Sequence, residues 1–165
     1  MRKPHRIMIL ASMAAAVLTA AMWAATASGS PAAASGQTKD TPRRARVIIP
    51  GEDRFTPFNL TVHAGTLVIW VNTDTDDHTI VSDDHFSTTG PHGLDIVIPG
   101  TDSNGGNPGR YAFFFAQHGT FVYHCRFHAH LDDAQQPVAP GPKGGIQDAN
   151  GNFGTPMMGT VTVLP

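Results

Sequence analysis

The segment Phe121-Val122-Tyr123-His124-Cys125-Arg126-Phe127-His128-Ala129-His130 holds the one cysteine of the chain, a histidine three residues after it, and two more histidines close by. Farther along stands Met157, just before a β-branched run, and far upstream stands His78. One thiol, several imidazoles and a thioether are the donors that copper takes in a His₂Cys site with a weak axial methionine. Cysteine and histidine also suit zinc. The single thiol and the methionine favour copper.

For those groups to meet, the chain must bring distant segments together. Residues 66–72 (Thr-Leu-Val-Ile-Trp-Val-Asn) give the strongest strand pattern, β-branched and aromatic with alternation. Further strands are predicted over 47–49, 78–82, 94–98, 111–115, 120–124 and 158–164. Residues 55–62 read as an irregular edge strand, because Pro57 cannot donate to a sheet on both sides. Gly and Pro punctuate these runs, and residues 135–155 read as irregular. About seven or eight short strands predict an all-β Greek-key sandwich. His78, Cys125, His128 and Met157 all fall at strand ends or in the loops beside them, where a sandwich gathers its loops.

The sequence has 165 residues, a formal net charge of -2 and only 15% charged residues, so no basic footprint for nucleic acid is present. Arg2, Lys3 and Arg6 precede an apolar run over residues 7–25, and Ala25-Thr26-Ala27 offers a cleavage site. Residues 1–27 therefore read as a secretory signal peptide, 28–46 as a disordered linker, and 47–165 as the folded domain. An uncleaved leader would be the chain's only membrane attachment. The expected location is outside the cytoplasm: periplasmic, extracellular or on the cell envelope. An exported chain with one cysteine cannot form an internal disulfide, which leaves a bridge to another chain, a buried spectator thiol, or a reactive or metal-bound thiolate.

Four motifs stand in order: Phe55-x-Pro57-x-x-Leu60-x-Val62-x-Ala64-Gly65-x-x-Val68-x-Trp70-x-Asn72, Asp77-His78-Thr79-Ile80-Val81-Ser82, Gly119-Thr120-Phe121-Val122-Tyr123-His124-Cys125-x-x-His128, and Met157-x-Gly159-Thr160-Val161-Thr162-Val163. From about Val47 to Val163 the chain resembles the cupredoxins, in particular the plastocyanin-like small blue copper proteins. The resemblance implies a cupredoxin-like sandwich and one copper per chain, held by His78, Cys125, His128 and Met157. It also implies a role as a carrier of single electrons between redox partner proteins, not as an enzyme. An asparagine near the first histidine, here Asn72, would hold the loops around the cysteine.

The chain departs from that pattern at three places. Ala129-His130 stands where a proline usually follows the second histidine. Residues 131–156 form an insertion before the methionine, so the axial ligand is Met157, Met158 or neither. His118-Gly119 replaces Pro-Gly. The second imidazole also has two candidates. His130 lies five residues after the cysteine, the spacing of multicopper oxidases. Those enzymes flank the cysteine with histidines on both sides, whereas here Arg126 takes one flank and offers no lone pair to a metal. His128 is the first choice and His130 the reserve.

Two other readings keep the same residues. One is a copper-binding or delivery module with an opened site. The other is a copper oxidoreductase with a second metal at an oligomer interface, where His124 would need a histidine from elsewhere. His124 is otherwise expected to be a surface or half-buried residue, and His63, His85, His92 and His118 solvated residues of turns or loops. Asp74, Asp76, Asp77, Asp83 and Asp84 read most simply as turn formers on a solvated face, or as an acidic patch steering a cationic partner.

Overall fold

The computed structural model describes residues 42–82 and 85–165. The leader and residues 28–41 of the expected linker lie outside the described residues. Strand structure begins earlier than the sequence suggests: β1 spans Arg43–Ile49 and takes in four residues assigned above to the linker. It pairs in parallel with β3, from Arg43 opposite Thr66 to Ile49 opposite Asn72. Arg43, Arg44 and Arg46 leave their side chains in solvent while their backbone completes the sheet. Val47 and Ile49 turn fully into the core and the small Ala45 packs partly against it, so strong apolar alternation marks just the second half of the strand.

The chain continues through β2 (Asn59–His63), β3 (Thr66–Asn72), β4 (His78–Ser82), β5 (Asp95–Ile98), β6 (Gly109–Phe115) and β7 (Gly119–His124). Two short strands, β8 (His130–Leu131) and β9 (Pro137–Val138), precede β10 (Met158–Leu164). One sheet has the order β1-β3-β6 and the other the order β2-β10-β7-β4-β5. The described residues contain no helix. The fold is an all-β sandwich with eight strands in its two main sheets. β2 follows Pro57 and sits at an edge, where a residue without an N–H does least damage.

Alternate residues of each strand face inward, as a two-layer sandwich requires. Val47, Ile49, Val68, Trp70 and Phe115 come from one sheet, and Val62, Ile80, Ile98, Phe121, Tyr123, Val161 and Val163 from the other. Trp70 is the centre of the aromatic packing, with ring centroids 5.5 Å from Tyr123, 5.8 Å from Tyr111, 6.3 Å from Phe121 and 6.4 Å from Phe115. Of the three consecutive phenylalanines, Phe115 is core, Phe113 is half-buried and Phe114 points outward.

Register places the candidate ligands at one end of the larger sheet. β4 runs antiparallel to β7 with Val81 opposite His124 and Ser82 opposite Tyr123, so only its end overlaps β7 and its start runs on past it, where Thr79 meets the Arg126 N–H in the loop after Cys125. β10 also runs antiparallel to β7, with Met158 opposite His124, so its start reaches the same end. The insertion is more ordered than its Pro/Gly content suggests. β8 pairs with β9, Ile146 bridges Thr155, and Ile146 packs against the core.

Gly159 lies opposite Tyr123, and a Cβ there would stand 2.6 Å from the tyrosine oxygen and 2.7 Å from the ring carbon bearing it. The ring is fully buried and cannot step aside freely. Gly159→Ala is therefore expected to destabilise the fold by about 1–3 kcal/mol, the usual cost of overpacking a core. A lowered urea midpoint at unchanged slope would show it.

Candidate metal centre

Cys125 is the first residue after the inner strand β7, and its N–H donates to the Met157 carbonyl at 2.9 Å. The chain then turns tightly, with the His128 N–H donating to the Cys125 carbonyl at 3.1 Å. That turn carries the His128 ring back so that Nδ1 stands 3.8 Å from Cys125 Sγ. His78 opens β4 from the neighbouring position, and its Nδ1 stands 3.7 Å from the same sulfur. His78 and Cys125 are fully buried and His128 is half-buried. The three ligand atoms lie within 4.8 Å of one another.

Met157 is fully buried and shares the core cluster with Cys125. Its backbone is tied to both loop residues, accepting from Cys125 and donating to the His128 carbonyl at 3.4 Å. Met158 is half-buried and already part of β10. His130 is exposed in β8, opposite Val138, and outside the cluster.

Three residues that the sequence does not assign to the site, Thr79, Asp74 and Asp53, complete the surroundings. The Thr79 N–H donates to Cys125 Sγ at 3.4 Å, and its hydroxyl lies 3.7 Å from the same sulfur. That hydroxyl also accepts the Arg126 N–H at 2.9 Å, so one threonine joins β4 to the loop after the cysteine. Asp74 is buried and sets Oδ2 3.0 Å from His78 Nε2. Asp53, from the loop after β1, brings Oδ1 to 3.4 Å from the same nitrogen. Nothing in the sequence separates Asp74 from Asp76 and Asp77. The reading of Asp74 as a solvated turn former is corrected by its burial against His78.

Asn72 also acts differently from the expectation. Its amide donates to the carbonyls of Asp76 at 2.8 Å and Ile98 at 3.0 Å, and its oxygen accepts the Asp74 N–H at 3.0 Å. It holds the loop that carries Asp74, while Thr79 holds the cysteine. Arg126 forms an ion pair with Asp95 and lies over the Phe127 ring, 5.1 Å from its centroid. His124 is buried, not at the surface, on a strand that pairs with both β10 and β4. His63 is the last residue of β2 and its Nδ1 lies 2.8 Å from the Pro165 oxygen. His85, His92 and His118 are exposed.

The electrostatics follow from these contacts. Burial resists a charge on Cys125, but hydrogen bonds from His128 and His78 and from the backbone of Thr79 and Phe127 outweigh it, bringing the thiol from 9.0 down to about 5. Burial likewise disfavours a charged His78, yet Cys125, Asp74 and Asp53 together hold it above its ordinary value. His128 is raised chiefly by its bond to Cys125. For Asp74, burial works upward and is overcome by the bonds from His78 and the Thr75 backbone, so its carboxyl sits low. Burial raises Asp53, against the pull of His128 and His78. A lowered thiol value means thiolate above it and thiol below it. The metal-free protein should therefore show thiolate ultraviolet absorption at neutral pH that fades as pH falls through about 5. Titration against Cys125→Ser isolates that signal. A band appearing only near pH 9 would contradict it.

The donor set fits a copper ion. Two donors about 2.1–2.3 Å from one ion and about 120° apart stand roughly 3.7 Å from each other, with bond lengths like those of zinc sites. The sulfur–nitrogen separations of 3.7 and 3.8 Å match that spacing. A ready thiolate with two imidazoles is a soft set of the kind Cu(I) and Cu(II) share.

No protein-family model matches the chain, and no curated protein matches it. Among solved structures it is similar to a mutant of amicyanin in the Cu(I) form, at 19% identity over 73% of this chain and 81% of that one, with a TM-score of 0.44. It is similar to amicyanin from Paracoccus versutus at 18% identity, over 75% and 85% of the two chains, with a TM-score of 0.43. A purple cupredoxin from Nitrosopumilus maritimus matches at 25% identity, over 72% and 98%, with a TM-score of 0.39.

Proposed function

We propose that the chain binds one copper ion through His78, Cys125 and His128, with Met157 as the weak fourth ligand, and carries single electrons between redox partner proteins. The observation that carries this reading is the convergence of two imidazole Nδ1 atoms, 3.7 and 3.8 Å away, on one thiolate at the end of a β-sandwich. Copper bound there would supply a one-electron couple between Cu(I) and Cu(II).

The chain's own residues supply the rest. Cys125 offers a thiolate at neutral pH, and Thr79 fixes its sulfur. The buried rings of the core exclude water from behind the sulfur. Strands paired on both sides of β7 keep the donors in place when the charge of the site changes, which favours fast electron transfer over chemistry on a substrate. His128, half-buried beside the exposed Phe127, offers the edge through which an electron would pass. Export by the N-terminal leader, to the periplasm, the envelope or the outside, belongs to this reading, as does a folded domain preceded by a linker.

Copper counting and voltammetry test it. About one copper per chain and a reversible one-electron wave are expected. A colourless protein that holds only Cu(I) would point to copper delivery, and more than one copper per chain to an oxidoreductase with a second metal.

A further inference from the structure

We propose that Asp74, backed by Asp53, is a positioning residue that keeps a proton on His78 Nε2 and leaves Nδ1, the nitrogen facing Cys125 Sγ, for the metal, and thereby lowers the potential of the copper site. This rests on the copper reading above. His78 is fully buried and both of its ring nitrogens are engaged, Nδ1 toward Cys125 Sγ and Nε2 toward the two carboxylates. An imidazole that donates one N–H to a carboxylate turns its other nitrogen to the metal in a set orientation and as a stronger donor.

The carboxylate is itself held from several directions. Asp74 Oδ1 accepts the Thr75 N–H at 2.6 Å and the Thr75 hydroxyl at 3.3 Å, which leaves Oδ2 for His78. The Asp74 N–H is held by Asn72, and its carbonyl accepts the Thr101 N–H at 2.8 Å and hydroxyl at 3.1 Å. Asp53 reaches the same nitrogen from a different loop, in a left-handed backbone conformation (φ 53°) that aspartate tolerates better than most residues. Negative charge behind the first histidine favours Cu(II) over Cu(I), because Cu(II) carries the extra positive charge.

The test is a redox titration of the copper-loaded protein with Asp74→Asn, Asp53→Asn, and Asp148→Asn as a surface control. Asp74→Asn should shift the balance toward Cu(I) about tenfold, a rise of about 59 mV for one electron. Asp53→Asn should move it the same way by less, Asp148→Asn should leave it unchanged, and Asp74→Glu should restore part of the loss. An Asp74→Asn protein that keeps its copper at an unchanged or lower potential overturns the proposal, even if its unfolding midpoint drops. Should that variant not fold, nitrogen NMR of the metal-free wild type decides: a solvent-protected proton on His78 Nε2 supports the assignment, and a rapidly exchanging or absent one overturns it. A wild type that takes up no copper would fail the copper reading alone, and the Nε2 proton would still be read.

Discussion

His128→Ala is expected to weaken copper binding by more than about 100-fold, beyond the loss typical of removing a partner that only orients a ligand. His130→Ala should leave binding unchanged. The two histidines are two residues apart, and spacing from the cysteine alone allows either. The turn after Cys125 favours His128. The His128 N–H closes onto the Cys125 carbonyl and brings its ring to 3.8 Å from the sulfur, whereas His130 has entered a separate two-residue strand and is exposed. Competition for copper against a chromogenic chelator measures both variants. A large loss with His130→Ala and none with His128→Ala would reverse the assignment.

Trp70→Ala should cost about 3–5 kcal/mol, the range for removing a large buried aromatic. Trp70 is fully buried and its ring neighbours come from two other strands, Tyr111 and Phe115 from β6 and Phe121 and Tyr123 from β7. A loss of that size is a large share of the roughly 5–15 kcal/mol that holds an ordinary domain together. It should also broaden the metal site, since Tyr123 leans on Trp70 and stands two residues before Cys125. Phe114→Ala, on the outer face of the same sheet, should change stability by no more than about 0.5 kcal/mol. Denaturant unfolding of the metal-free proteins separates the two. Similar losses for both would contradict the packing described here.

Strands with dense apolar patterns are legible in the sequence almost residue by residue. The predicted runs 66–72 and 78–82 coincide with β3 and β4. The run 158–164 coincides with β10. The meeting of His78 and Cys125 follows from placing them at strand ends, because antiparallel register sends both to the same end of the sheet, and the turn after Cys125 brings His128 back to join them. The start of β1 was hidden because its arginines point outward and its stability comes from parallel pairing with β3, a long-range contact with no local pattern. Asp74 and Thr79 were missed for a similar reason. An aspartate among turn aspartates and a threonine inside a strand are ordinary residues until the fold sets a histidine ring against one and a sulfur against the other. Asn72 was rightly noticed as a loop-holding residue, but its bonds go to the loop of Asp74 and not to the neighbourhood of the cysteine.

The most direct measurement is the visible and EPR spectrum of the copper-loaded protein, wild type beside Cys125→Ser. A copper-bound Cys125 should give an intense visible Cu(II)–thiolate band in the wild type, with a matching Cu(II) EPR signal, and the serine variant should lose the band. A wild type that binds Cu(II) and shows no such band, or a band that survives the loss of the sulfur, would contradict it.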